Sequence, residues 1–313
     1  MSWDKFFRCY VGDCVDLMQR MPEKAFHTCV TSPPYYALRD YGVEGQIGLE
    51  PTPAEFIKRL VDVFREVRRV LRDDGTLWIN MGDSWGKSKQ LMGMPWRLAF
   101  ALQADGWILR QDIIWHKTNP MPESVRDRCT KAHEYIFLLS KSPRYYFDHG
   151  AIREPAVYAG KNTGVGFGHG TDKDGRGRGR ISSRDNFRRE SSKRGQVIPG
   201  QNVGTHRPVR ADTVPDGMRA KRNIWSVATR PFMGAHFATF PPALIEPCIL
   251  AGSPVGGAVL DPFGGSGTTA GVAAAHGRKA VLCELNPEYA ALVPIRVNDI
   301  AKSITDTRNT RNS

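Results

Sequence analysis

The chain has 313 residues, with 44 Lys and Arg against 32 Asp and Glu, a formal net charge of +12. That length suits one large α/β domain or two smaller ones. The basic excess points to a polyanionic partner, nucleic acid before others, over a merely solvated basic surface. The six cysteines (Cys9, Cys14, Cys29, Cys129, Cys248, Cys283) form no CxxC pair and have no His at metal spacing, so they read as reduced thiols of a cytosolic chain. Neither a signal-peptide pattern nor an apolar run of membrane-spanning length is present.

Residues 6–13 read as a strand closing on Gly12-Asp13, and residues 26–31 as a second strand. Ser32-Pro33-Pro34-Tyr35 follows directly on Thr31. This run places a hydroxyl, backbone carbonyls and an aromatic ring at the strand's C-terminal edge, where open α/β sheets bind ligands. Two prolines stiffen the turn and cannot donate, which leaves its carbonyls free to accept. An amino group held between Ser32 and the Pro33 carbonyl, under the face of Tyr35, is the chemistry this arrangement offers.

Thr52-Pro53-Ala54-Glu55 marks a helix start with a capping box. Phe56, Leu60, Val63, Phe64, Val67, Val70 and Leu71 then recur at helical spacing, with Gly75 as the stop. A buried strand at 76–80, a helix at 95–105 ended by Gly106, a strand at 108–115 and another at 133–140 follow. Beyond residue 150 the composition turns to Gly, Arg, Ser and Asn. Arg176, Arg178, Arg180, Arg184, Arg188, Arg189, Lys193 and Arg194 cluster in residues 160–222. Such a segment cannot bury enough apolar surface to fold alone. It reads both as a surface insertion and as a DNA-contacting arm that orders on binding, and the two are compatible. Order resumes at 223–225, with a helix at 242–250, a strand at 258–260, a small-residue helix at 268–276 stopped by Gly277, and a strand at 279–283. The last dozen residues are polar and read as frayed. Alternating strand and helix predicts a mainly parallel α/β sheet.

Between the strand at 258–260 and the next helix lies Asp261-Pro262-Phe263-Gly264-Gly265-Ser266-Gly267-Thr268-Thr269. Gly264, Gly265 and Gly267 permit a tight turn and close backbone approach. Glu284 ends the following strand, where a carboxylate can accept from both ribose hydroxyls, at about the 20-residue spacing of nucleotide sites. The pattern is not GxGxxG, and no GxxxxGK[ST] loop occurs. An adenosyl ligand without phosphates is therefore favoured over a pyrophosphate.

These residues carry a family resemblance. The 261–269 run resembles the S-adenosylmethionine motif of amino-methylating DNA methyltransferases, with Phe-x-Gly-x-Gly at Phe263, Gly265 and Gly267. Thr31–Tyr35 resembles their catalytic motif, (Asp/Asn/Ser)-Pro-Pro-(Tyr/Phe), and it precedes the cofactor motif as in the permuted β group. Gly12-Asp13 is similar to that group's adenine contact, His236–Pro241 to the segment closing over the methionine end, and Trp115–Pro122 to the segment lining the target-base pocket. The likeness covers roughly residues 6–150 and 223–295.

The resemblance implies a Rossmann-like S-adenosylmethionine-dependent methyltransferase fold, with a mainly parallel central sheet, helices on both faces and a circularly permuted motif order. It implies a catalytic half at 1–150, a target-recognition insertion at 151–222, a cofactor-binding half at 223–300 and a flexible tail at 301–313. Ser32, Pro33, Pro34 and Tyr35 are then catalytic. Asp13, Thr31, His236, Phe237, Asp261, Pro262, Phe263, Gly264, Gly265, Ser266, Gly267, Thr268, Thr269 and Glu284 bind S-adenosyl-L-methionine, and no metal is needed. The Arg and Lys cluster at 176–194 contacts double-stranded DNA. A homodimer and a cognate restriction endonuclease stay open, no membrane association is implied, and the expected setting is the cytoplasm of a bacterium or archaeon, or a phage-encoded protein.

An exocyclic base amine is a poor nucleophile, because its lone pair is delocalised into the ring. Acceptors on its hydrogens draw the nitrogen toward tetrahedral geometry and aim the lone pair at a sulfonium methyl group, so positioning and electrostatics dominate. The absence of a Cys-Pro pair argues against carbon-5 methylation by a thiolate. In this family Ser at the first motif position goes mostly with cytosine N4 and Asp with adenine N6, so Ser32 favours cytosine. Adenine N6 is the alternative, and an RNA or protein amine a second one. Among the remaining candidates, His133 reads as structural, and Trp78 and Trp115 as core. Asp83 reads equally as a base contact or a turn cap, and Asp261 as a cofactor contact ahead of a turn stabiliser. His116 stays a candidate only by residue type.

Overall fold

A computed structural model describes residues 3–156, 217–229 and 240–312. Strand β1 (Phe7–Val11) turns through Gly12 into α1 (Cys14–Gln19), a helix the sequence reading omitted. Asp13 makes it: its Oδ1 accepts from the N–H groups of Val15 at 2.8 Å and Asp16 at 3.2 Å, an N-cap for otherwise unpaired donors. Strand β2 (Phe26–Thr31) matches expectation. So does the capping box of α2 (Pro53–Val70), where Thr52 and Glu55 exchange side-chain-to-backbone bonds of 3.2 Å each. The helix ends before Gly75. The N–H groups of Lys24 and Ala25 donate to the carbonyls of Arg69 and Val70, so the last turn needs no glycine cap. Gly75 lies instead within β3 (Leu71–Met81).

Next come α3 (Met94–Ala104), β4 (Ile108–His116) and β5 (His133–Ser140), then the short strands β6 (Glu154–Pro155), β7 (Met218–Arg219) and β8 (Ile224–Ser226). Helix α4 (Pro242–Gly252), β9 (Ala258–Asp261), α5 (Thr268–Ala275), β10 (Lys279–Glu284) and α6 (Pro287–Asn312) complete the chain. The chain divides into one unit of residues 1–152 and 220–313 and another of 153–219. In the smaller unit the described residues form the antiparallel pair β6–β7, with Arg219 Nε donating to Glu154 Oε1 at 3.0 Å. The basic cluster from Arg176 to Arg194 lies outside the described residues.

In the larger unit eight strands form one sheet in the order β1-β10-β9-β2-β3-β5-β4-β8. Among the described residues β5 alone runs against the rest, antiparallel to both β3 and β4. No helix separates β4 from β5, and a crossover is what a parallel pair needs. Both sheet faces are covered, as strand periodicity requires: Cys29, Leu77, Ile79, Phe137 and Leu139 join a core with α1, α2 and α3. Their neighbours Val30, Trp78, Ile136 and Leu138 join a second core with α4, α5 and α6.

The expected flexible tail is a correction: residues 301–312 continue α6. Val293, Val297, Ile300 and Ala301 are buried, and Ile304 packs on the same cluster. These recur at helical spacing, so the polar residues between them are an exposed face and not a frayed end. No helix among the described residues is long and apolar enough to cross a membrane.

Candidate active site

Strands β2 and β9 lie side by side, with Cys29 opposite Leu260, so the two sequence motifs begin at adjoining strand ends. The Thr31 hydroxyl donates to Asp261 Oδ1 and the Thr269 hydroxyl to Asp261 Oδ2, both at 2.6 Å. The Phe263 N–H donates to Oδ1 at 3.1 Å. Burial pushes the Asp261 carboxyl up to about 6, against the pull of the hydrogen bonds from Thr269, Thr31 and Phe263. Of the two roles read for Asp261, the geometry gives the turn-stabilising one: both oxygens serve the loop that they organise. Thr31 shares that role, since its buried hydroxyl is committed to the same carboxylate.

The Gly-rich turn closes against β10. The Gly264 N–H donates to the Cys283 carbonyl at 2.8 Å, and a Cβ on Gly264 would sit 2.8 Å from Leu282 Cβ. The Gly265 N–H donates to Glu284 Oε2 at 2.7 Å, and Oε1 accepts from the Asn286 N–H at 2.9 Å. Each carboxylate oxygen keeps a lone pair for a hydroxyl donor. Burial raises the Glu284 pKa, and the amide bonds from Asn286 and Gly265 oppose it. Gly265 has φ +51°, and a Cβ there would meet nothing within 4 Å, so a ligand can approach its backbone closely.

The Gly12 N–H donates to the Glu284 carbonyl at 2.9 Å, which brings Asp13 to the rim of the same cradle with Oδ1 engaged as the α1 cap. Pro262 is buried, Phe263 packs on the α2-side core, and Gly267 is the residue from which α5 starts. Among the described residues the buried hydroxyls of Ser266 and Thr268 have no hydrogen-bond partner, although native interiors pair such groups. An open glycine face, a carboxylate with spare acceptors and two unspent hydroxyls fit a nucleoside-bearing ligand without phosphates. His236 and Phe237 lie outside the described residues.

One residue past Thr31, the Ser-Pro-Pro-Tyr run meets a polar network that the sequence reading missed. Pro33 is buried, while Ser32, Pro34 and Tyr35 are half-buried. The Tyr35 hydroxyl donates to Glu134 Oε2 at 2.6 Å. Asn80 Nδ2 donates to that same oxygen at 3.0 Å, to the Tyr35 hydroxyl at 3.1 Å and to Ser32 Oγ at 3.5 Å. Lys117 Nζ donates to Glu134 Oε1 at 2.5 Å. Burial first, then the Glu134 charge, hold the Tyr35 phenol well above its usual range, so it stays a donor. Glu134 and Asn80 share a sheet face because Asn80 pairs with Ile136, two residues along β5. A signal existed: Glu134 is the one charged residue in the apolar run His133–Ser140.

Asp83 takes the capping role of its two readings, accepting from the N–H groups of Ser84 at 2.9 Å and of Gly93 and Met94 at 3.0 Å each. His133 sits edge-on to Tyr135, and His116 Nδ1 lies 3.0 Å from Ser226 Oγ. Trp78 and Trp115 are core, at 1% and 4% exposure.

A doubly wound sheet with these two motifs at its central C-terminal edge defines the S-adenosylmethionine-dependent methyltransferase class. The Thermus thermophilus protein TTHA0409, in complex with S-adenosyl-L-methionine, superposes with a TM-score of 0.58 at 26% identity over 94% of this chain and 96% of that one. The PvuII DNA methyltransferase (cytosine-N4-specific) superposes with a TM-score of 0.63 over 96% and 93% of the two chains, and at 19% identity shares the fold. The pattern of the N6/N4 DNA methylase family matches residues 26–294, and the chain belongs to that family. Among its relatives, the type II methyltransferase M.Cfr9I of Citrobacter freundii is 41% identical over 317 residues, 92% of this chain and 86% of that protein. M.SmaI of Serratia marcescens is 42% identical over 315 residues, 92% and 89% of the two. The protein is a DNA methyltransferase, and its cofactor is S-adenosylmethionine.

Proposed function

We propose that the chain methylates the exocyclic N4 amine of a flipped-out cytosine in double-stranded DNA, as the modification enzyme of a type II restriction-modification system. The observation that carries this reading is Ser32, a neutral hydroxyl at the acceptor position, one residue from the Thr31–Asp261 link to the cofactor turn. Support also comes from the cytosine-N4-specific name of the PvuII structural neighbour and the type II designation of M.Cfr9I and M.SmaI.

The Gly264–Thr269 turn and Glu284 hold S-adenosylmethionine, with Asp13, Phe263, His236 and Phe237 around it. When bound, this cofactor supplies an electrophilic sulfonium methyl group. Ser32 Oγ and the Pro33 carbonyl accept the two amine hydrogens and draw the nitrogen toward tetrahedral geometry. The Tyr35 ring offers a face to the base. Flipping the nucleotide costs a few kcal/mol, which phosphate contacts from the Arg176–Arg194 cluster offset.

The test is mass spectrometry of nucleosides from DNA of cells expressing the chain. N4-methylcytosine supports the proposal. N6-methyladenine overturns the base assignment, and DNA free of N4-methylcytosine despite cofactor binding overturns the proposed N4 activity.

A further inference from the structure

We infer that Glu134, with Asn80, Lys117 and Gly82, forms a socket that sets the Tyr35 ring before any base arrives, and that Glu134 is thereby a positioning residue for methyl transfer. The inference rests on the proposed role of Tyr35 as the face on which the target base stacks.

The ring is held at two places. At its hydroxyl, the Tyr35 O–H donates to a carboxylate at 2.6 Å, a charge-assisted bond stronger than one to a neutral acceptor. Along its edge, the ring lies against Gly82. A Cβ there would fall 2.7 Å from Tyr35 Cε2 and 3.2 Å from Glu134 Cδ, so no larger residue leaves the ring in place.

The carboxylate is in turn held by two donors. Lys117 Nζ on Oε1 supplies the counter-charge. Asn80 Nδ2 on Oε2 shares its two hydrogens with the Tyr35 hydroxyl and Ser32 Oγ. The amide cannot turn over, since Oδ1 would then face the carboxylate.

Stability does not explain the arrangement. Glu134 is 8% exposed, on the same face of β5 as the buried Ile136 and Leu138. An ion pair buried there gains little over an apolar pair of equal volume. A ring locked in advance does explain it, because a reacting group misplaced by about 1 Å can cost on the order of 100-fold in rate.

The test is a double-mutant cycle on the full-length chain, read as kcat, KM for DNA and Kd for S-adenosylmethionine. Tyr35→Phe keeps the ring and removes the tether, while Glu134→Gln weakens the tether and breaks the Lys117 pair. Each lowers kcat about 10- to 100-fold and leaves the cofactor Kd close to wild type; Tyr35→Phe also keeps the unfolding midpoint, while Glu134→Gln lowers it because Lys117 loses its counter-charge. The double variant is no slower than the slower single, because both act through one bond.

Multiplying effects overturn the inference, since Glu134 then acts elsewhere. Tyr35→Phe with wild-type kcat overturns it without reference to Glu134, should Glu134→Gln fail to fold. Both failures are read beside an active wild type, which keeps the proposed function intact. A wild-type chain that leaves DNA unmethylated overturns that function and this inference together.

Discussion

The Thr31 hydroxyl donates to Asp261 Oδ1 at 2.6 Å, joining two residues 230 positions apart. Thr31 is the last residue of β2 and Asp261 the last of β9, so one hydrogen bond fastens the strand that leads into Ser32 to the strand that leads into the Gly-rich turn. Motif order along the chain does not matter to this contact. Only the adjacency of β2 and β9 does, and a permuted chain keeps it.

Removing that carboxylate leaves the Thr31 hydroxyl and the Phe263 N–H unpaired, while the Thr269 hydroxyl keeps the Val30 carbonyl at 3.4 Å. Asp261→Ala therefore costs about 2 kcal/mol or more, at roughly 1–3 kcal/mol for each of the two buried orphans. Asp261→Asn keeps the acceptor for Thr31 and Phe263 and can donate to Thr269, whose own hydrogen turns to the Val30 carbonyl at 3.4 Å. The carboxyl pKa rises from 3.8 to about 6 on folding, so the folded state holds the proton more tightly than the unfolded one. This group's contribution to stability is fully present below 3.8 and is lost as pH rises through about 6. Asp261→Asn removes that loss. Thermal melts across the window check it: a wild-type midpoint no more pH-sensitive than that of the Asn variant speaks against the buried carboxylate.

Under the proposed function Glu284 accepts from the cofactor, and its pKa lies above the ordinary 4.5 because burial outweighs the amide bonds. S-adenosylmethionine affinity accordingly weakens as pH falls, beginning above the ordinary carboxylate range. Glu284→Gln presents an NH2 to one of two backbone donors and loses the charged acceptor. A drop in affinity of about 10- to 100-fold is expected, from roughly 1.5–3 kcal/mol. Isothermal titration calorimetry across the acid range measures both effects, and an unchanged Kd in the Gln variant removes Glu284 from the cradle.

Ser32→Ala and Tyr35→Ala each abolish methyl transfer while cofactor binding persists, because neither side chain belongs to the Gly264–Glu284 cradle. Radiolabelled methyl transfer beside equilibrium dialysis separates the two. Full activity in Ser32→Ala takes the hydroxyl out of the mechanism.

DNA affinity falls steeply with salt, with log K linear in log[salt] at a slope of about −0.9 per phosphate neutralised. Replacing Arg188 and Arg189 by Ala flattens that slope. A salt-insensitive wild type would falsify duplex binding through the basic segment.

Helix α6 is held by a close approach: a Cβ on Gly271 of α5 would lie 2.8 Å from Ile300 Cβ. Gly271→Ala gains helix propensity but pushes α6 outward, for a net destabilisation of about 1–2 kcal/mol. A fall of a few degrees in the unfolding midpoint is the expected reading. A rise in the midpoint means that the helices part at no cost.

Local features were legible because their causes lie within a few residues. The Thr52–Glu55 capping box, the two Pro-stiffened positions after β2 and the Gly-rich turn after β9 each form from adjacent side chains and backbone. The end of α2 was misjudged, because Lys24 and Ala25 satisfy its last carbonyls from a distance. Polarity misled at the C-terminus, where helical periodicity was the better guide.

The chain's own pattern therefore settled the longer strands of the sheet, the α/β class and the two motifs, all short-range matters of period, cap and turn, but not the short strands β6, β7 and β8. Folding settled the partnerships. Thr31 with Asp261, Gly265 with Glu284, and Tyr35 with Glu134, Asn80 and Lys117 come from strands brought together by the sheet order. Hydrogen-bond partners are chosen by distance in space, and linear spacing carries no record of which strand ends become neighbours.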